Sequence, residues 1–111
     1  MPSKRPPYRI ERSEKIERAL DFEQDLIVEG QFTGRLDSQG DLFVQQKGIF
    51  TGEAHIANAY IRGVFEGNLE ASGQVFLSET AYFKGILDCP KANISLGARF
   101  YGEARIHNQN E

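Results

Sequence analysis

The sequence has no tryptophan, one methionine and one cysteine, Cys89, among 111 residues. A single thiol excludes an internal disulfide framework and any cysteine-only metal site, and it fits a reducing compartment. No stretch approaches the roughly 18 consecutive apolar residues of a membrane-spanning helix. The first residues lack the apolar core and small-residue cleavage site of a secretory signal, so export by that route is not expected. The Gly-x4-Gly-Lys-Ser/Thr phrase of a nucleotide phosphate loop is also missing. Imidazole is limited to His55 and His107, too few for a three-histidine zinc site, and both read as surface residues. No cofactor or metal is expected. Nor is there an excess of positive charge. The net charge is −3, and residues 25–111 hold seven Lys/Arg against eleven Asp/Glu, which argues against a nucleic-acid partner. At this length the chain has room for one domain and one core.

What the sequence has in quantity is glycine, 11 residues, and phenylalanine, 8 residues, and the two occur together. Phe32-Thr33-Gly34-Arg35-Leu36 recurs as Phe50-Thr51-Gly52-Glu53-Ala54, Phe65-Glu66-Gly67-Asn68-Leu69, Phe83-Lys84-Gly85-Ile86-Leu87 and Phe100-Tyr101-Gly102-Glu103-Ala104. The steps between these phenylalanines are 18, 15, 18 and 17 residues, the period of a solenoid whose units bury their apolar faces only by stacking. Within each unit every second residue is apolar or glycine, as in Leu26, Val28, Gly30, Phe32, Gly34 and Leu36. That is the period of extended strand with one buried face. The link before phenylalanine is four residues from Val28 to Phe32 but six from Val44 to Phe50, and an even difference leaves the inward face unchanged. Short extended faces in coils of about 17 residues predict an all-β, single parallel β-helix of about five coils. Phe32, Phe50, Phe65, Phe83 and Phe100 then form a core ladder, and the glycines remove side chains where the backbone bends or a neighbouring ring needs space.

Four regions follow. Residues 1–12 are basic and proline-rich and read as a flexible tail. Residues 13–24 read as a short helical or irregular capping segment, because Ile16, Ala19 and Leu20 fall at helical spacing behind Ser13. Residues 25–107 form the β-helix core, and 108–111 a C-terminal tail. Polar corners are expected at Ser38-Gln39-Gly40-Asp41, Gln45-Gln46-Lys47-Gly48, Asn58, Ser72-Gly73, Ser78-Glu79 and Pro90-Lys91. Cys89, two residues beyond inward Leu87, is expected inside as a small hydrophobe.

Two outward columns could carry function. Asp37, Glu70 and Asp88 each lie five residues beyond their phenylalanine, with His55 and Arg105 at the equivalent place in other coils. Paired carboxylates can serve glycosidic chemistry, but a mixed column without long loops to form a cleft reads as a solvated charge ladder. The second column is Ile27, Phe43, Tyr60 and Phe76, spaced 16, 17 and 16 residues apart, with Asn93 in the last coil. An outward apolar stripe of this length implies cover. Either the N-terminal segment folds back, with Ile16 and Leu20 on the stripe, or another molecule meets it.

In its repeated phrases, Leu26-Ile27-Val28-Glu29-Gly30-Gln31-Phe32-Thr33-Gly34, Gly63-Val64-Phe65-Glu66-Gly67-Asn68-Leu69-Glu70-Ala71 and Gly73-Gln74-Val75-Phe76-Leu77, the chain resembles the bactofilins over residues 25–107. These are bacterial cytoskeletal proteins with a right-handed β-helix core. The resemblance implies a non-enzymatic, nucleotide-independent polymer of cores stacked end to end, positioning cell-envelope or morphogenesis proteins in the cytoplasm at the inner membrane face. The partner would be the chain itself, with peripheral membrane contact through the N-terminal tail. Leu26, Val28 and Phe32 would line one polymerisation interface, and Phe100, Ala104 and Ile106 the other, since end coils expose unpaired strand edges. Two other classes compete. One is a non-polymerising adaptor that binds a protein partner through Ile27, Phe43, Tyr60 and Phe76. The other is a hexapeptide-repeat enzyme, which would need a regular six-residue aliphatic period not seen here.

Overall fold

The computed structural model describes residues 6–106, and of Phe22 only the backbone. All of the regular structure among them is β, arranged as a parallel solenoid of six coils. Each coil is a short strand followed by a long one. The first coil is β1 (Tyr8–Ile10) and β2 (Lys15–Phe22), and the second is β3 (Leu26–Val28) and β4 (Gln31–Ser38). Then come β5 (Asp41–Val44) with β6 (Ile49–Ile56), β7 (Asn58–Ile61) with β8 (Val64–Ala71), β9 (Gln74–Leu77) with β10 (Tyr82–Cys89), and β11 (Lys91–Ile94) with β12 (Arg99–Ile106). The short strands stack into one six-stranded sheet, β1-β3-β5-β7-β9-β11, and the long strands into another, β12-β10-β8-β6-β4-β2. Every neighbouring pair is parallel, as wrapping in one direction requires.

The register follows the repeat. Phe32, Phe50, Phe65, Phe83 and Phe100 occupy one rung position, and Gly34, Gly52, Gly67, Gly85 and Gly102 another. The rings stack down the axis at centroid distances of 4.8, 4.9, 5.1 and 5.0 Å, close to the strand spacing. The first four rings are completely buried. Each such burial contributes about 1.5–3 kcal/mol relative to exposure, and stacking adds about 0.5–1.5 kcal/mol. Leu36, Ala54, Leu69 and Leu87 fill the next inward rung beyond the glycine, and Leu26, Leu42, Ala59 and Val75 line the opposite wall. Among the described residues no polar or charged side chain is buried, so the core holds no polar side chain needing an internal partner.

The corners fall where polar residues were expected, and they are joined from coil to coil. Asp25 Oδ1 accepts the Asp41 amide at 2.8 Å, Asn58 Nδ2 donates to Asp41 Oδ1 at 3.1 Å, and Asn58 Oδ1 accepts the Gln74 amide at 2.8 Å. Asx side chains here replace the main-chain bonds that a turning backbone cannot make.

The segment expected to be helical or irregular is strand. Lys15–Phe22 pairs residue by residue with Gln31–Ser38, and Tyr8–Ile10 pairs with Leu26–Val28. Regular structure therefore starts at residue 8 and not at residue 25, and there are six coils where about five were expected. The physical reason is that Ile16 and Leu20, four residues apart, share a face in a helix and in a strand alike. With β4 presenting a free edge, pairing adds a full ladder of backbone bonds, which outweighs the weak preference of an isolated eight-residue helix. Glu11 and Glu14 close the turn between the two strands, through Glu14 N to Glu11 O at 2.9 Å and Glu11 N to Glu14 Oε1 at 2.8 Å.

Candidate functional site

A solenoid has two ends, and here they differ. At the N-terminal end Ile10 is fully buried, while Tyr8, Ile16 and Leu20 are partly buried and pack on the core. Leu26, Val28 and Phe32, expected to line this end, lie beneath the first coil at 0% exposure. They are core residues and not a surface, because the chain before residue 25 supplies one more rung. The repeat spacing contains the missed signal. Ile10 precedes Ile16 by six residues, as Val44 precedes Phe50, so the first coil carries the phrase with Ile16 for phenylalanine, Arg18 for glycine and Leu20 for the aliphatic residue.

At the C-terminal end the expected residues are where the sequence placed them, on the last rung. Phe100 stacks on Phe83 with an interplanar angle of 1° and is only partly buried, and Ala104 and Ile106 are exposed along β12. Around them Ile94, Tyr101 and Ile106 are about half exposed, and Leu96 is 95% exposed. Among the described residues the long strand β12 has one neighbour, β10, and its other edge has no strand on it. An apolar surface bounded by a free strand edge is a template for another strand.

The aromatic stripe is also present. Arg9, Ile27, Phe43, Tyr60, Phe76 and Asn93 align on the outer side of the short-strand sheet. The rings of Phe43 and Tyr60 stack at 4.9 Å, and those of Tyr60 and Phe76 at 5.0 Å. Ile16 and Leu20 do not cover them. Both belong to β2 and pack against the core inside the first coil.

The mixed column is in register as Asp21, Asp37, His55, Glu70, Asp88 and Arg105. His55 lies between two carboxylates, Nδ1 3.3 Å from Asp37 and Nε2 3.6 Å from Glu70, with all three side chains more than a third exposed. These polar side chains face an open groove and are well solvated. Among the described residues no cluster of metal-ligating side chains occurs; His107 and the 108–111 tail lie outside the described residues. Cys89 is buried, and that burial, with Asp88 adding to it, pushes its thiol above the ordinary range. A thiol held protonated is a poor nucleophile.

Stacked parallel rungs around an apolar core, with an exposed apolar last coil, define a β-solenoid. The chain belongs to the bactofilin family, whose model, described as polymer-forming cytoskeletal, matches residues 8–105. The match begins at β1, in agreement with the first coil being part of the solenoid. No curated protein and no solved structure shows significant similarity to the chain. The family is a structural, cytoskeletal one and not a family of enzymes.

Proposed function

We propose that the chain is a scaffold that polymerises on its own, without nucleotide, by stacking solenoids end to end. The observation that carries this reading is the C-terminal coil, where β12 presents an unpaired edge of eight residues beside half-exposed Ile94, Tyr101 and Ile106. An interstrand hydrogen bond contributes a net ~1 kcal/mol, and each Å² of apolar surface removed from water about 25 cal/mol. A junction of this kind forms without an energy source. Phe100, Ala104 and Ile106 line it on one side. A filament so built would hold cell-envelope or morphogenesis proteins in the cytoplasm at the inner membrane face. Of the basic residues of the N-terminal tail proposed for membrane contact, Lys4 and Arg5 lie outside the described residues, and Arg9 donates to Glu29. The competing adaptor reading needs ends closed against stacking, and the open last coil counts against it.

Negative-stain electron microscopy of the full chain without nucleotide tests the proposal. Wild type is expected to form filaments, and Phe100→Arg and Ile94→Asp, which place charge on the last rung, are expected to leave small particles. Ile94 is half exposed, so its variant should keep the fold, which circular dichroism checks. Uniform small particles from wild type, or filaments from both variants, would sink the reading.

A further inference from the structure

The outer face of the short-strand sheet is unevenly charged along the solenoid axis. Two flanking columns border the aromatic stripe, Asp25, Asp41, Asn58, Gln74 and Lys91 on one side and Glu29, Gln45, Arg62, Ser78 and Ser95 on the other. In the first three coils this face carries Glu11, Asp25, Glu29 and Asp41 against Arg9, whose guanidinium donates to Glu29. In the last three it carries Arg62 and Lys91 and no acid. Acidic at one end, basic at the other and aromatic between, the face complements itself when turned end for end.

We propose that this face is the lateral contact between filaments, occupied by a second copy of the chain with its solenoid axis reversed. Reversal sets coil one against coil six. Phe43 then meets Tyr60 of the second copy, Ile27 meets Phe76, and the acidic half meets the basic half. Copies facing with parallel axes would set Asp25 of one against Glu29 of the other, a like-charge apposition that complementary interfaces avoid. The size of the face determines when the contact forms. Six rungs at ~4.8 Å and about four residues at ~3.3 Å give roughly 380 Å² per copy, or about 760 Å² in all. Stable pairs of free proteins bury about 1,200 Å² or more. A lone pair of monomers therefore does not persist, whereas filaments, which align many copies, add the contacts together. The inference rests on the end-to-end reading.

The test images wild type, Arg62→Glu and Tyr60→Thr by negative-stain microscopy. Both substitutions sit in the fourth coil, remote from the end coils, and threonine keeps the strand preference at an outward position. Wild-type filaments are expected side by side, and both variants are expected to give single filaments of unchanged length, with at least a ten-fold drop in the paired fraction. Melting curves show that the variants fold. Wild-type filaments that run singly, or variants that pair as wild type does, overturn the lateral contact and leave the end-to-end reading intact. Filaments single in solution but lying along phosphatidylglycerol-containing vesicles give the face to a membrane and also overturn it. No filaments from wild type at all would remove both readings together.

Discussion

At Gly52, Gly67, Gly85 and Gly102 a hydrogen atom stands where any other residue would put a carbon inside the carbonyl oxygen of the glycine one coil below. All four have φ between +132° and +142°, a region that L side chains rarely adopt. Two independent costs therefore coincide at one position, steric overlap with rigid backbone and an unfavourable dihedral. Gly67→Val should lose ~2–6 kcal/mol, combining overpacking of ~1–3 kcal/mol with strain of ~1–3 kcal/mol. Gly97 makes the comparison. It also has positive φ, but its nearest contact is Glu79 O at 3.3 Å and it sits in an exposed turn. Gly97→Ala should cost only ~1 kcal/mol, the dihedral term alone. Urea melts of the two variants separate these cases; equal losses would show that close approach between coils is not what selects glycine in the ladder. Arg18 is tolerated at the same rung position because, among the described residues, no strand pairs below it, and its φ is not positive.

At the scale of elements, legibility in the sequence followed the strength of the repeat. Coils two to six, with their phenylalanine ladder, their corners and the outward stripe, could be read directly because Phe-x-Gly-x-aliphatic marks each register unambiguously. The first coil was legible only as spacing, with Ile10 six residues before Ile16 as Val44 is before Phe50. It lacks both marker residues, and Ile16, Ala19 and Leu20 behind Ser13 satisfy a helical pattern as well as they satisfy a strand. What decides between the two is the free edge of β4, a tertiary fact that no local pattern contains. The error carried over to the site, since Leu26, Val28 and Phe32 were expected at the surface only because the coil covering them was read as something else. At the C-terminal end, where the repeat stays strong to Ile106, Phe100, Ala104 and Ile106 lie on the last rung. Ile16→Asp tests this assignment. In a first coil stacked on Phe32 the substitution puts a carboxylate against the core and should cost ~2–4 kcal/mol, from lost burial and desolvation of the charge. In a loosely attached helix it would cost under ~0.5 kcal/mol. Far-UV circular dichroism of the wild type should show strand without a helical component.

At the scale of the whole molecule, almost every contact joins one coil to the next, so stability accumulates rung by rung and the terminal rungs are the weakest. The same arrangement has an optical consequence. Every strand runs across the solenoid axis, and ring-to-ring distances of 4.8–5.1 Å repeat along it. Filaments drawn into an oriented fibre should therefore diffract on the meridian near 4.8 Å, the strand spacing. Six rungs per copy add a longer repeat of roughly 29 Å if the junctions keep the same step. A meridional arc without that longer repeat would mean that the junctions depart from the spacing within the molecule. An equatorial reflection near 4.8 Å would mean that the solenoids lie across the fibre and not along it.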